Sequence, residues 1–94
     1  MLSQIPVDFN KLKKAELNNG ILRAAIIGEL DAINLYEQLA ALTDNKDIRK
    51  VMLDIAKEEK THVGELQTML LRLDQEQVEE LKQGKKEVQE LTGK

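Results

Sequence analysis

Two long stretches of the chain carry apolar residues at alternating spacings of three and four residues, the period of one face of an α-helix. The first stretch runs from residue 19 to about residue 42, and the second continues to about residue 73. Between them lies a polar segment, Thr43-Asp44-Asn45-Lys46, in which Asp44 or Asn45 can cap the second helix. The pattern therefore predicts two antiparallel helices joined in a hairpin.

The segments that flank the predicted hairpin are shorter and less regular. Residues 1–18 include Pro6 and show no sustained period, so we expect an irregular or partly helical arm. Asp74 followed by Gln77 resembles a capping box and predicts a short third helix, interrupted at Gly84. The chain thus divides into an arm (1–18), a hairpin (19–73) and a short C-terminal helix with a tail (74–94), and its fold class is all-α.

Each predicted hairpin helix carries polar residues within its apolar stripe. Glu29 interrupts the stripe of the first helix, and Glu59 and His62 interrupt that of the second. Glu29 and Glu59 each stand fifteen residues from Asp44, about 22 Å along their helices, so a hairpin brings them level. The stripe of the second helix reads Ile48, Met52, Ile55, Glu59, His62, Leu66, Met69 and Leu73.

A carboxylate in an apolar stripe must be protonated, paired or bound to a metal, because an ionised carboxylate buried alone is too costly. Glu59-x-x-His62 puts an acid and an imidazole on one helix face, about one turn apart. Bundles with carboxylate-bridged di-iron sites use two single glutamates and two such pairs. This chain holds half of that set, so two copies related by a two-fold axis would complete a site for iron, manganese or zinc.

Composition narrows the classes of function. With 94 residues, 41% apolar and 33% charged, the chain reads as one small helical domain that needs a metal or self-association to enlarge its core. A formal charge of −3 without a basic cluster disfavours nucleic-acid binding. No apolar run is long enough for a membrane span, no signal peptide is evident, and a cytoplasmic location is expected. The absence of cysteine excludes disulfides and thiolate ligands.

The combination of Glu29, Tyr36 seven residues later and Glu59-x-x-His62 resembles the encapsulated ferritins, half-ferritin relatives of rubrerythrin and bacterioferritin carried as cargo in encapsulin nanocompartments. The resemblance covers about residues 20–91. It implies a ferritin-like four-helix bundle completed by dimerisation, with dimers arranged in a ring, commonly a decamer. It also implies a di-iron ferroxidase centre that oxidises Fe(II) to Fe(III), while the surrounding encapsulin shell stores the mineral.

The resemblance also implies roles for individual residues. Glu29, Glu59 and His62 would be the metal ligands, with Glu59 bridging, and Tyr36 would support them from outside the ligand set. Asp31 resembles an acidic residue on the path of metal into the site, although Gly28 stands where some members carry another acid. The last residues, 91–94, lack an apolar shell-targeting peptide, which would fit truncation or fusion to a shell protein.

Two other functions remain open at this stage. A rubrerythrin-like, peroxide-reducing di-iron protein would use the same ligands, but this chain has no cysteine for a rubredoxin-type electron donor. A helical assembly module would use the polar residues of the stripe only to fix register. For Tyr36, packing with a hydrogen-bonded hydroxyl is an equal alternative, and Glu37 and Lys60 are expected to be solvated surface charges.

Overall fold

The computed structural model describes residues 4, 8, 10 and 13–94 of the chain. Within them lie three helices, α1 (Lys14–Leu42), α2 (Lys46–Leu73) and α3 (Gln75–Thr92), and no strand. α1 and α2 pack against each other along most of their length as an antiparallel hairpin, and α3 contacts mainly the end of α2. The predicted all-α class and hairpin are confirmed.

The turn of the hairpin is fixed from both sides. The Asn45 side chain accepts hydrogen bonds from the backbone N–H groups of Asp47 at 2.9 Å and Ile48 at 3.0 Å, so Asn45 is the cap of α2. Arg49 reaches back to the end of α1, where Nη2 donates to the Thr43 carbonyl at 2.6 Å and Nε to the Ala40 carbonyl at 3.3 Å. These bonds satisfy groups that helix ends otherwise leave unpaired.

The prediction that the first helix begins near residue 19 is wrong. α1 begins at Lys14, inside the predicted arm, and its N-cap Lys13 makes no side-chain cap hydrogen bond. Residues 14–17, Lys-Ala-Glu-Leu, are strong helix formers, and Gly20 is buried within the helix. The helix therefore continues through Asn18 and Asn19 in spite of their low propensity. Most of the rest of the predicted arm lies outside the described residues.

The predicted interruption of the third helix at Gly84 is also wrong. α3 runs unbroken for 18 residues, because strong helix formers flank Gly84 and outweigh its unfavourable propensity of about 1 kcal/mol. The predicted cap at Asp74 is confirmed, since its side chain accepts the Gln77 N–H at 3.0 Å. α3 ends at Gly93, whose φ of 75° suits glycine and whose N–H bonds the Gln89 carbonyl at 2.9 Å.

The core of the described chain is small and consists mostly of alanine. Its buried apolar side chains are Ala24, Ala40, Ala56 and Leu70. The predicted stripe of α2 is only partly covered by α1. Three of its apolar members, near the ends of α2, are about half exposed, namely Ile48, Met69 and Leu73.

None of the helices in the described part of the chain combines the length and the apolarity that a membrane crossing requires.

Candidate metal centre

Three side chains from the two hairpin helices converge near the middle of the hairpin. His62 Nδ1 on α2 lies 3.4 Å from Glu29 Oε2 on α1 and 3.3 Å from Glu59 Oε2 on its own helix. One ligand atom from each residue lies within 4.8 Å of those of the other two. The structure thus brings together the three residues that the sequence predicts as ligands.

The local sequence explains this convergence. Glu59 and His62 are three residues apart on α2, so they project from one face about one turn apart. Glu29 meets them from α1 because the turn at residues 43–45 sets the two helices in register. Ala56, 2% exposed, lies one turn before Glu59. Its small side chain lets the helices approach closely, which helps short carboxylates from both helices reach the same imidazole.

The two carboxylates are more enclosed than the imidazole. The exposed fractions of the side chains are 26% for Glu29, 18% for Glu59 and 46% for His62. In the tautomer that carries its proton on Nδ1, His62 can donate to both carboxylates, which would offset part of their mutual repulsion in a metal-free chain. The imidazole is the member of the group most open to solvent, and therefore to a second chain.

The donor set fits a transition-metal ion. Two carboxylate oxygens and one imidazole nitrogen suit divalent iron, manganese or zinc, which accept mixed oxygen and nitrogen ligands. Each of these residues must be unprotonated at its ligating atom to bind, so a metal would compete with protons for the site. Three donors from one chain are half of the six in a di-iron carboxylate bundle.

Tyr36 and Asp31, the other two predicted site residues, are not among the three converging donors. Tyr36 lies on α1 about two turns beyond Glu29, toward the hairpin turn, and is half-buried. Asp31 is also half-buried. It follows Glu29 by two residues, which corresponds to a rotation of about 200° around the helix axis, so the two residues lie on nearly opposite sides of α1. The supporting role of Tyr36 and the role of Asp31 in metal uptake stay predictions.

One contact beside the site was not predicted. Lys60, next to Glu59, forms an ion pair with Glu37 on α1 through Nζ and Oε2 at 3.2 Å. The sequence indicates only two surface charges here, and both side chains do remain largely exposed, at 60% and 46%. Opposite charges on two helices are a weak signal for such a pair, because their contact depends on the exact register of the hairpin.

The chain is similar to proteins of known type along nearly its whole length. Residues 20–94 match the family model for rubrerythrin. Over 99% of the chain, the sequence is 57% identical to a ferritin-like-encapsulin shell fusion protein of Pyrococcus furiosus, and over 78% of the chain it is 37% identical to the encapsulin nanocompartment cargo protein EncC of Myxococcus xanthus. The chain spans 28% and 55%, respectively, of the lengths of these two relatives.

A solved structure has the same fold. The crystal structure of the encapsulated ferritin domain from Pyrococcus furiosus superposes with a TM-score of 0.85 at 53% sequence identity, covering 100% of this chain and 98% of that one. This similarity confirms the ferritin-like fold that the sequence resemblance implies. From the match of residues 20–94 to the family model, together with these relatives, we conclude that the chain belongs to the rubrerythrin family.

Proposed function

We propose that this protein is a ferroxidase, an Fe(II):oxygen oxidoreductase, whose di-iron centre is shared between two copies of the chain. The observation that carries the proposal is the convergence of Glu29, Glu59 and His62, whose ligand atoms lie within 4.8 Å of one another. Two chains supply two copies of each residue. Together they make the four glutamates and two histidines typical of carboxylate-bridged di-iron bundles.

Surface exposure supports a second chain over this face. Ile48, Met69 and Leu73, each about half exposed, belong to the same stripe of α2 as His62. A partner that covers these apolar side chains would also reach the open side of the imidazole. The accessible surface of 7522 Å² exceeds the about 5,500 Å² expected for a compact monomer of this mass. A symmetric dimer would bury part of this excess and complete a four-helix bundle.

Metal binding should be coupled to dimerisation, because the metal ions neutralise carboxylates that would otherwise repel each other at the interface. Two Glu29 and two Glu59 carboxylates bring four negative charges to the interface, and two divalent ions neutralise them. Without metal, the carboxylates of the two chains would repel each other as they are brought together. Metal binding should therefore favour the dimer and any larger ring built from it, for which the resemblance to encapsulated ferritins suggests a decamer.

The reaction has a simple electron balance. Two Fe(II) substrate ions lose one electron each, and one O₂ takes up these two electrons with two protons to give hydrogen peroxide and two Fe(III). Glu29 and Glu59 would hold the ions through carboxylate oxygens, which favour Fe(III) over Fe(II) because they are hard, anionic donors. His62 would bind through an imidazole nitrogen after its ligating atom has lost its proton.

The names of the two relatives suggest where the product is stored. One is a fusion of a ferritin-like domain with an encapsulin shell, and the other is an encapsulin cargo protein. We therefore place this protein, as part of the proposal, in the cytoplasm within an encapsulin nanocompartment. There the ring would oxidise iron, and the shell, whether fused to the chain or separate, would retain the mineral.

The experiment that tests this function is an anaerobic titration with Fe(II) followed by native mass spectrometry, and then by exposure to O₂ with absorbance detection of Fe(III). We expect two irons per pair of chains, a shift to larger assemblies and rapid oxidation. Glu59→Gln and His62→Ala should lose iron binding and oxidation. Glu58→Gln is the matched control, because Glu58 is the exposed neighbour of Glu59. Assemblies that never take up iron would instead support a helical module without catalytic function.

A peroxide-reducing activity is the second candidate, because the family model that matches residues 20–94 is that of rubrerythrin. The same iron-loaded protein distinguishes the two reactions when it is mixed with O₂ or with hydrogen peroxide in separate stopped-flow experiments. Faster oxidation by O₂ supports the ferroxidase. Oxidation by peroxide at a rate that O₂ does not approach would favour the peroxidase.

A further inference from the structure

The boundary between α2 and α3 consists of a single residue, Asp74. α2 ends at Leu73 and α3 begins at Gln75, while Asp74 has φ −123° and ψ 89°, outside the helical region. Residues 71–77, Leu-Arg-Leu-Asp-Gln-Glu-Gln, contain neither glycine nor proline. No glycine or proline forces a break here, so the break depends on the Asp74 side chain, through its local cap and its tertiary contact.

Hydrogen bonding is helical up to the break on both sides. The Asp74 N–H donates to the Leu70 carbonyl at 2.9 Å, and the Val78 N–H donates to the Asp74 carbonyl at 3.3 Å. The Gln77 N–H instead donates to Asp74 Oδ1 at 3.0 Å, whereas in a continuous helix it would bond the Leu73 carbonyl. Rotation of Asp74 into helical dihedral angles would thus join α2 and α3 into one helix over residues 46–92.

Such a continuous helix would have very different dimensions. Its 47 residues would span about 70 Å at 1.5 Å per residue. The largest extent of the folded chain is 46 Å, so α3 is turned away from the axis of α2. Two states of the same segment are therefore geometrically distinct and can be told apart by a single distance.

The side chain of Asp74 holds the bent state through both of its oxygens. Oδ1 caps α3, as described above, and Oδ2 accepts a hydrogen bond from Arg23 Nη2 on α1 at 2.5 Å. The Asp74 side chain is only 13% exposed, against 52% for Arg23. Because the carboxylate is largely enclosed, its pairing with the guanidinium is stronger than that of a typical surface ion pair.

Apolar packing contributes little to the bent orientation of α3. A groove of about 350 Å³ lies between the three helices, with Ile26 and Ile27 on α1, Leu70 and Leu71 on α2, and Leu81 on α3 among its lining residues. Leu81 remains 44% exposed, and no side chain of α3 is buried. Since the apolar surfaces are not closely packed, the polar contacts of Asp74 are the stronger constraint on the direction of α3.

We propose that the Arg23–Asp74 pair is a latch that keeps α3 bent away from α2, and that α2 and α3 merge into one helix when the latch is open. The latch decides where α3 presents its apolar residues, since Leu81, Val88 and Leu91 are all exposed in the bent state. In the merged state these residues would lie along an extension of α2, far from the groove. The latch is thus a conformational device independent of the metal ligands.

The test is a distance measurement within one chain. The protein has no cysteine, so Lys57→Cys and Glu90→Cys, both at exposed positions, can be labelled cleanly with nitroxides for pulsed dipolar EPR. Labelled chains are diluted with an excess of unlabelled chains that carry the same residues at positions 23 and 74. Only distances within one chain are then recorded. The merged helix places the two positions about 50 Å apart, or 33 residues at 1.5 Å each, and the bent state gives a clearly shorter distance.

We expect the shorter distance in the labelled protein that retains Arg23 and Asp74. The distance should shift to about 50 Å in Asp74→Ala, because this substitution removes both the cap and the ion pair. Asp74→Asn and Arg23→Gln retain a capping side chain but lose the charge pair, so each should show both distances in one sample. Glu37→Gln, which removes an ion pair between α1 and α2 away from the break, should leave the shorter distance unchanged.

Two results would overturn the proposal. One is the shorter distance alone in Asp74→Asn and Arg23→Gln, which would mean that the charge pair does not hold the bend. The other is the longer distance in the unmodified latch. Helical content measured by far-UV circular dichroism identifies any variant that fails to fold, and Arg23→Gln provides a test that leaves Asp74 itself intact.

Discussion

Replacing Glu59 with glutamine should change the stability of the protein in opposite directions without and with a divalent metal. The substitution keeps the size of the side chain but removes one of the two negative charges that lie beside His62 Nδ1. In a metal-free chain this charge is a source of repulsion, whereas in a metal-loaded chain it would be a ligand under the proposed function. A purely structural role for Glu59 would give a single sign under both conditions.

The size of the effect follows from the geometry. For two ionised carboxylates at the 4.8 Å limit of the group, the repulsion is about 3.5 kcal/mol at an effective dielectric constant near 20. A hydrogen bond from His62 to a charged partner stabilises the metal-free protein by about 1.5–3 kcal/mol. Part of this stabilisation is lost in the variant, because the glutamine amide is uncharged. We therefore expect Glu59→Gln to stabilise the metal-free protein by about 1 kcal/mol, which raises Tm by about 4–8 °C in a domain of this size.

Bound metal should reverse the order of stability of the wild-type protein and Glu59→Gln. A metal at one hundred times its Kd stabilises the wild-type protein by about 2.7 kcal/mol. If loss of one carboxylate ligand per chain weakens binding at least tenfold, the same concentration stabilises the variant by no more than about 1.4 kcal/mol. The wild-type protein should then melt at the higher temperature.

The assay is thermal unfolding followed by circular dichroism at one fixed protein concentration, in chelator and in Mn(II), which O₂ oxidises far more slowly than Fe(II), with Glu58→Gln as the matched control. A lower Tm for Glu59→Gln in chelator would refute the assumed repulsion. An undiminished metal-dependent rise in Tm would refute the assignment of Glu59 as a ligand.

The remaining predictions concern the hairpin that carries the site. Arg49→Ala should lower the free energy of unfolding in urea by about 1–2 kcal/mol, because it leaves two carbonyls at the end of α1 without their donor; Lys50→Ala, an exposed neighbour, should change it by less than about 0.5 kcal/mol. Asn45→Ala should lower the free energy of unfolding by about 1 kcal/mol, whereas Asn45→Asp should leave it almost unchanged, because aspartate also caps α2. Equal decreases in the two variants would contradict the capping role of Asn45. Ala56→Leu should destabilise the hairpin by about 1–3 kcal/mol through overpacking and weaken Mn(II) binding in calorimetry, and unchanged binding would show that helix spacing at Ala56 does not control the site.

The convergence of the three candidate ligands could be predicted from the sequence because these residues violate the pattern around them. Glu29, Glu59 and His62 occupy stripe positions that a helix of this kind normally fills with apolar residues, and the equal distance of Glu29 and Glu59 from the turn sets these two level. Such a signal needs only helical periodicity and a turn. The hairpin itself was predictable for the same reason.

Features that depend on tertiary contacts were not predictable in this way. α1 extends to Lys14 through a segment where Asn18, Asn19 and Gly20 locally favour a helix start, and Gly20 is buried in the folded chain. The contact of Arg23 with Asp74 joins residues 51 positions apart. It depends on the angle of α3, which no local pattern specifies. Local propensity and periodicity are thus sufficient for the site but not for the ends and mutual orientation of the helices.

The alanine-rich core would also limit how the proposed metal site adapts to different ions. Ala24, Ala40 and Ala56 have no side-chain rotamers to exchange, so the spacing of α1 and α2 cannot adjust by repacking of these side chains. Any accommodation of an ion with longer or shorter preferred bonds must come from the flexible Glu29 and Glu59 side chains or from movement of a whole helix. The carboxylate side chains are therefore the parts of the hairpin that could adjust to an ion without movement of its helices.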